Sequence, residues 1–434
     1  MTDQKAPIGN YRYRILALLV YATTVNYFDR SIIGVMAPTL EKLFHWTNTD
    51  YANIMIAFKA AYAIGMLSMG GIIDKLGTKK GYTLAIAIWS LSGMLHAAVR
   101  PAFSVIGFSI ARFGLGFGES GHFPAAQKTV AEWFPKKDRA FATGIYNAAT
   151  SIGAILAPFM VGWIVHRDGT NWQIPFLITG GLSAFWVFLW WRTYKKPEDH
   201  PKLTKEELAY IESDSTVETK EKLAWKKVLP MRQTWAFAVA KITDAVWWFY
   251  LFWGAKFLAD TFGVDIKNIG IPYLVIYLLA DGGSIFGGWI SGAFMNKGWT
   301  VNKARKITML ICALIILPVS YVAVTKVEWI AVVLIGLAAA GHQAWSANIF
   351  TLVSDVFPKK AVASVTGIGG MVGAVAGMLS DKALGTVLDE AGNSGYFWAF
   401  LIAGTLYLVI LGIVHLLMPK MQPLDENLNK VAQA

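Results

Sequence analysis

The chain is 434 residues long and has a single cysteine, Cys312, inside an apolar run. That leaves no internal disulfide and no cysteine metal cluster. Seven histidines are scattered, and His96, His122 and His342 fall in different apolar runs without ligand spacing. No H-E-x-x-H and no nucleophile–base motif occurs, so nothing points to a membrane-embedded enzyme, and no metal or cofactor is expected. Charge is sparse: Asp, Glu, Lys and Arg make up 15 % of the chain, against about 25 % in ordinary soluble domains. Acids are scarcer than bases, 28 against 39, for a net charge of +11. The excess is not gathered on one soluble face, which excludes a nucleic-acid patch.

What is abundant is apolar. Hydrophobic residues reach 55 %, and mean hydropathy is +0.46. Runs long enough to cross about 30 Å of hydrocarbon recur from end to end. Twelve are legible, at about 15–37, 52–73, 82–99, 102–124, 139–165, 173–194, 234–258, 270–295, 306–324, 329–353, 362–385 and 396–418. The chain is therefore expected to be an all-α polytopic protein of the lipid bilayer. The basic start, MTDQKAPIGNYRYR, leads into a full-length span with no A-x-A site, so it is expected to be an uncleaved first helix. Lys and Arg crowd alternate loops, as at Arg12 and Arg14, Lys79 and Lys80, Lys136 and Lys137, Arg305 and Lys306, and Lys359 and Lys360. The positive-inside rule then puts both termini in the cytoplasm.

One long polar segment, about 195–232, divides the chain into six-span halves, 1–194 and 233–434. LTKEELAYI within it fits a short helix, with Thr204 and Glu207 spaced as a capping box. ESDSTVETKEK after it has the make-up of a solvated linker. The halves are related. WFPKKDRAFATGI and VFPKKAVASVTGI align at one offset, Phe134 with Phe357 (357 − 134 = 223), with Thr-Gly-Ile in register downstream. Repetition at half the chain length marks a duplicated transporter scaffold.

Between spans 2 and 3 the sequence runs Gly70-Gly71-Ile72-Ile73-Asp74-Lys75-Leu76-Gly77-Thr78-Lys79-Lys80. Gly70 is expected to permit close helix approach, and Gly77 a tight turn. Asp74 is expected to sit against a helix N-terminus or an Arg of a neighbouring span, with Lys75 beside it, latching that side of the membrane. The pattern G-x-x-x-D-K-x-G-x-K resembles the signature loop of the major facilitator superfamily, with Thr78 where Arg is usual. The resemblance implies two pseudo-symmetric six-helix bundles that work by alternating access.

Buried polarity concentrates in spans 1, 4, 7 and 10, the first helices of four three-span units. These are the helices that line the central cavity in the superfamily the sequence resembles. Asp29 and Arg30 stand side by side in the first span, where a charge costs at least about 3 kcal/mol. Arg30 is the best anchor for an anion, since a guanidinium gives a carboxylate two parallel hydrogen bonds and stays charged. Tyr27 precedes it by one turn. In span 4, Arg112 and Glu119 are two turns apart on one face, and Gly114 and Gly118 make a smooth strip for a neighbour. Glu119 among apolar residues suits a proton carrier; a permanent ion pair with Arg112 or Arg30 is the structural alternative. Asp29 is the second carrier candidate. Lys59 in span 2 pairs with Asp29, meets the substrate, or snorkels to the interface. Tyr62 follows it by one turn. Asn147 is a hydrogen-bonding ligand or helix glue. Trp247, His342, Gln343, Ser346 and Asn348 offer a ring face and hydrogen bonds to hydroxyls, as do Trp248, Tyr250 and Trp345; packing is the alternative for the tryptophans and His342.

Several stretches narrow the family: NYFDRS, GESGHFPAAQKTVAEWFPKKDRA, GIYNAATSIGA, KKPEDHPKLTKEELAYI, KITDAVWWFYLFW and GHQAWSANIFTLVSDVFPKK. Together they resemble the anion:cation symporter family, most closely its bacterial hexuronate transporters. The resemblance implies inner-membrane, proton-driven uptake of a sugar-acid anion, with the proton gradient as energy source and a monomer as the working unit. By matching motif it puts substrate-binding roles on Tyr27, Arg30 and Tyr62, and proton-carrying roles on Asp29 and Glu119. Ala245 and Ala255 stand where relatives often have Pro in span 7. The expected mechanism takes protons on Glu119 and Asp29, and neutralising Asp29 frees Arg30 to hold the substrate carboxylate. An aldonate, an aldarate or another monocarboxylate is the rival cargo.

Overall fold

A computed structural model describes residues 9–213, 225–425 and 427–429. Most of the run expected as solvated linker lies outside the described residues.

In lipid every backbone N–H and C=O needs a partner within its own segment, and the apolar runs meet that need as helices. They are α1 (Tyr11–Phe44), α2 (Asn48–Leu95), α3 (Ser104–Glu119), α4 (His122–Trp133), α5 (Lys136–Ile164) and α6 (Gln173–Thr193) in the first half. The linker holds α7 (Lys205–Glu212) and α8 (Trp225–Val228). The second half has α9 (Arg232–Ala240), α10 (Asp244–Phe262), α11 (Gly270–Asn296), α12 (Val301–Ile316), α13 (Glu328–Val356), α14 (Lys359–Ala391) and α15 (Gly395–Leu417).

Eight helical stretches are long and apolar enough to cross a bilayer, and two of them, of 51 and 58 residues, have length for two crossings each. The other two crossings are α1 and the α9–α10 pair, diluted by Asn26, Asp29 and Arg30 and by Lys241 and Asp244. Spans 2 and 3 form α2, which breaks at Gly77, where φ is 75° and ψ 161°. That left-handed φ suits glycine, and the two arms pack so tightly beyond it that a Cβ on Gly81 would lie 2.7 Å from the Ile73 Cα. Span 4 is interrupted between Glu119 and His122, where α3 passes into α4. Span 7 breaks at a 3₁₀ turn over Lys241–Thr243; Ala245 and Ala255 lie within the continuous α10.

The duplicated motif folds twice alike. Trp133 and Val356 end their helices, and Pro135 (φ −62°, ψ 155°) and Pro358 (φ −62°, ψ 150°) start the next ones at the same offset. Phe134 and Phe357 are both buried at that turn. Within the first half α1 packs on α5 and α6, and α2 on α3 and α6; within the second, α11 and α12 pack on α13. The halves meet along α1–α10, α2–α14 and α5–α11. Gly114 and Gly118 face the second arm of α2, as the strip predicts: a Cβ on Gly118 would lie 2.6 Å from the Trp89 backbone nitrogen.

At the end remote from the FPKK turns the halves are tied by polar contacts. Lys256 bonds Glu41 at 2.6 Å, the Tyr51 hydroxyl donates to the Phe252 carbonyl at 2.5 Å, and Asp389 accepts from the backbone amides of Asn48 and Thr49 at 2.8 and 2.9 Å. The Asp389 contact caps the start of α2 from the opposite half.

The signature loop sits at the other end. Asp74 bonds Lys128 of α4 at 2.8 Å. Thr78, in the usual Arg position, donates to Glu132 at 2.6 Å, and Tyr194 also donates to that carboxylate. Lys75 is exposed. Gly70 does not serve close packing: a Cβ there would meet nothing within 4 Å. Thr204 caps α7 as expected, but the Glu207 carboxylate does not return to it. It reaches the start of α1, accepting from the amides of Tyr11 and Arg12 at 3.0 Å each.

Candidate functional site

The first half supplies a buried charge pair. Arg30 on α1 donates through Nε to Oε2 of Glu119 at 2.8 Å, and its Nη2 lies 2.8 Å from the same oxygen while donating to the Asn26 side-chain oxygen at 3.4 Å. Glu119 is the last residue of α3, fully buried, and its Oε1 has no hydrogen-bond partner among the described residues. Of the two ion pairs open to Glu119, the one with Arg30 is present. Four rings surround the guanidinium: Tyr27 at 4.8 Å, Tyr62 at 5.0 Å, Phe58 at 5.5 Å and Trp248 at 5.6 Å. Three come from the first half and Trp248 from the second. A cation over ring faces is stabilised by about 0.5–2 kcal/mol per contact.

Arg112 lies behind this collar. Its guanidinium stands 4.4 Å from the Phe58 ring, so both arginines lie against Phe58. Arg112 is fully buried, and among the described residues none of its three side-chain nitrogens has a hydrogen-bond partner. Glu119 is within electrostatic reach of both arginines but bonds only Arg30. Phe58 was not singled out from the sequence; its place one turn before Tyr62 was the available signal.

Asp29 does not accompany Arg30. About 100° of helical turn separates neighbouring residues, and Asp29 points towards α6, where it accepts from Ser183 at 3.0 Å. Ser183 accepts in turn from the Trp89 indole at 2.8 Å. The expectation that a proton on Asp29 frees Arg30 is therefore corrected: Glu119 is the group that holds the guanidinium.

Lys59 pairs neither with Asp29 nor with the membrane surface. It crosses to the second half and bonds Asp381 of α14 at 2.6 Å, with the Gly377 carbonyl at 3.2 Å. Asp381 also accepts from the Trp253 indole at 3.1 Å. The sequence reading missed Asp381, although a carboxylate inside an apolar span is itself a signal. The Trp248 ring lies 5.4 Å from Lys59 as well, so it bridges the two cations.

On the second half, α10 turns a half-buried stripe of Asp244, Trp247 and Trp248 towards the first. Trp248, not Trp247, meets Arg30. Trp247 stacks on His342 with centroids 5.6 Å apart, and His342 is buried and bonded to the Tyr407 hydroxyl at 2.7 Å. Tyr250 and Trp345 are turned into the core of their own half. Lys241 bonds Asp244 and lies 4.6 Å from the Phe350 ring. Gln343 and Ser346 share one α13 face with Phe350, less buried than the opposite face of Ala344, Trp345 and Asn348. Asn348 is corrected from ligand to packing residue. Its amide nitrogen donates to the Gly287 and Ala344 carbonyls at 3.0 and 2.9 Å, and its oxygen accepts from Arg305 at 3.4 Å. Asn147 is exposed on α5, one turn before Ser151, and makes no hydrogen bond to the collar.

The structure thus brings together Tyr27, Arg30, Tyr62 and Glu119, reaches Lys59 through Trp248, and sets Asp29, Asn147 and Asn348 apart. The Tyr27 hydroxyl is within electrostatic reach of Arg30 and of Asp244 in the other half, so the collar lies at the seam between them.

Comparison with known proteins agrees with this architecture. Residues 19–380 match the family described as the Major Facilitator Superfamily. A hexuronate transporter of Escherichia coli K12 is 31 % identical over 396 residues, 90 % of either chain. A galacturonate transporter of Dickeya chrysanthemi is 34 % identical over 71 % of this chain and 90 % of its own. A probable galactarate/D-glucarate transporter of Escherichia coli K12 is 28 % identical over 94 % of this chain and 97 % of its own. Among solved structures, a bacterial homologue of the lysosomal transporter Spinster superposes with a TM-score of 0.73 over 95 % of this chain and 96 % of its own, at 19 % identity. Twelve spans in two bundles, a duplicated turn and a charge pair at their seam have one description: the chain belongs to the Major Facilitator Superfamily and is a multi-pass membrane transporter, not an enzyme.

Proposed function

We propose that this protein is a proton-coupled symporter that takes up a hexuronate monoanion across a bacterial inner membrane, with both termini in the cytoplasm. The observation that supports it best is the Arg30–Glu119 pair inside a collar built by both halves. A proton on Glu119 removes the charge that engages Arg30. The guanidinium then gives its two parallel hydrogen bonds to the incoming carboxylate. One proton and one monoanion enter a site that held a neutral ion pair, so it stays neutral, and a neutral site is what a low-dielectric interior tolerates. Tyr27, Tyr62 and Trp248 offer faces to the sugar ring, and Gln343 and Ser346 offer hydrogen bonds to its hydroxyls.

The halves 1–194 and 233–434 rock about this seam, and 195–232 joins them. The curated relatives named for hexuronate and galacturonate support the cargo. The clustering of Lys and Arg in the loops at the FPKK end supports the orientation. A site assembled from the two halves of one chain supports a monomer as the working unit.

The test is Glu119→Gln in proteoliposomes with labelled glucuronate. Accumulation driven by a pH gradient is lost, while exchange of internal for external substrate persists. Accumulation against a gradient by the variant removes Glu119 as the carrier. A competition panel of sugar acids, run with and without the pH gradient, separates hexuronates from aldonates and aldarates.

A further inference from the structure

The seam carries more cations than a monoanion needs. Arg30 and Lys59 border it, and Lys241 stands one turn behind it through Asp244, which is within electrostatic reach of Tyr27 in the first half; each cation is matched by a carboxylate, Glu119, Asp381 and Asp244. Lys59 and Asp381 are both almost fully buried. The Lys241–Asp244 pair is more open: the Asp244 side chain is 20 % exposed. Asp244 is one helical turn from Trp248, on the stripe that faces Arg30, and Lys241 is two turns from it. Two turns of helix rise about 11 Å, within reach of a six-carbon acid and a lysine side chain together. Phe350, under the Lys241 ammonium, continues the half-buried face of Gln343 and Ser346.

This inference rests on the reading that Arg30 receives a substrate carboxylate. We infer that Asp244 restricts the site to acids with a single carboxylate, by occupying the Lys241 ammonium that would otherwise receive a second one. A protonated Glu119 makes room for one negative charge. A six-carbon diacid anchored on Arg30 brings its second carboxylate to the wall where Asp244 already stands. There it meets a like charge and no free cation, a repulsive element of the kind that sets specificity. Neutral Asn at this position leaves the ammonium free to pair with the diacid.

The experiment measures exchange of labelled glucuronate in proteoliposomes, with glucuronate and galactarate as competitors, for the native protein and for Asp244→Asn. Thermal-shift titration of the purified proteins with gluconate and glucarate gives a second monoacid-to-diacid ratio that does not depend on glucuronate being carried. In the native protein the diacid of each pair is expected to bind about tenfold or more weaker than the monoacid, and Asp244→Asn to shift that ratio at least about tenfold towards the diacid. Asp244→Glu keeps the native ratio. Lys241→Met combined with Asp244→Asn also returns it to the native side, because no ammonium is left to free. That double variant separates a released lysine from a loosened wall, and it keeps the test open if the single variant folds poorly. A native protein that takes diacids as well as monoacids overturns the inference, and so does an Asp244→Asn ratio that does not move. Failure of glucuronate to exchange at all removes the hexuronate reading instead, while the gluconate–glucarate ratio still decides the role of Asp244.

Discussion

Two buried ion pairs near mid-membrane look alike and differ in one respect. Arg30–Glu119 lies within the first half, whereas Lys59–Asp381 joins the first half to the second. In the proposed rocking, a pair within one half travels with it. A pair across the seam has to part whenever α2 and α14 separate. Both are too buried for salt to screen them, and removing one member of such a pair costs about 3–5 kcal/mol, because the other charge is left in low dielectric. The first is thus suited to exchanging partners with a ligand, and the second to holding one conformation closed.

That contrast breaks most sharply at Arg30. Arg30→Ala is expected to abolish substrate binding, a loss of more than about 3 kcal/mol, seen as no substrate-dependent thermal shift and no exchange. Retained binding would sink the anchor. At the seam, Lys59→Met alone is expected to destabilise the protein by about 3–5 kcal/mol, and Lys59→Met with Asp381→Asn by much less. A double-mutant cycle on melting temperature in detergent reads the coupling. The neutral double variant should also raise the labelling of cysteines placed along the α2–α14 seam, since the two helices then part more readily. Labelling equal to that of the native protein would show that the pair does not hold them closed.

Smaller effects sharpen the difference between site and scaffold. Asn348→Ala is expected to lower stability by about 1 kcal/mol through its lost bond to the Gly287 carbonyl, and to leave the substrate concentration for half-maximal uptake within about twofold. A larger shift in that concentration would return Asn348 to the site. Finally, Gly77→Ala should cost about 1–3 kcal/mol, because φ 75° with ψ 161° is a conformation essentially reserved for glycine, whereas Gly70→Ala should cost nothing or stabilise slightly by favouring helix. Equal melting temperatures for these two variants would contradict the turn at Gly77.

Much of this was legible beforehand, for identifiable reasons. Bilayer thickness fixes the length of an apolar run, so the spans could be counted. The two FPKK turns keep one register because both end and start helices at the same places. Arg30, Tyr27, Tyr62 and Glu119 stood out because ionisable and phenolic groups at that depth need a reason to be there. What escaped was partnership over distance. Lys59 finds Asp381 across the fold, and nothing near Lys59 in sequence names that partner. Adjacent residues misled in the opposite way: Asp29 next to Arg30, and Trp247 next to Trp248, each point where their neighbour does not. Helical phase relative to an unseen partner decides which of two neighbours faces the seam.

The linker contact has its own consequence. By grasping the amides of Tyr11 and Arg12 through Glu207, α7 makes the early part of the connection ride as cargo on the N-terminal bundle. A spectroscopic probe on α7 would then report the tilt of that bundle.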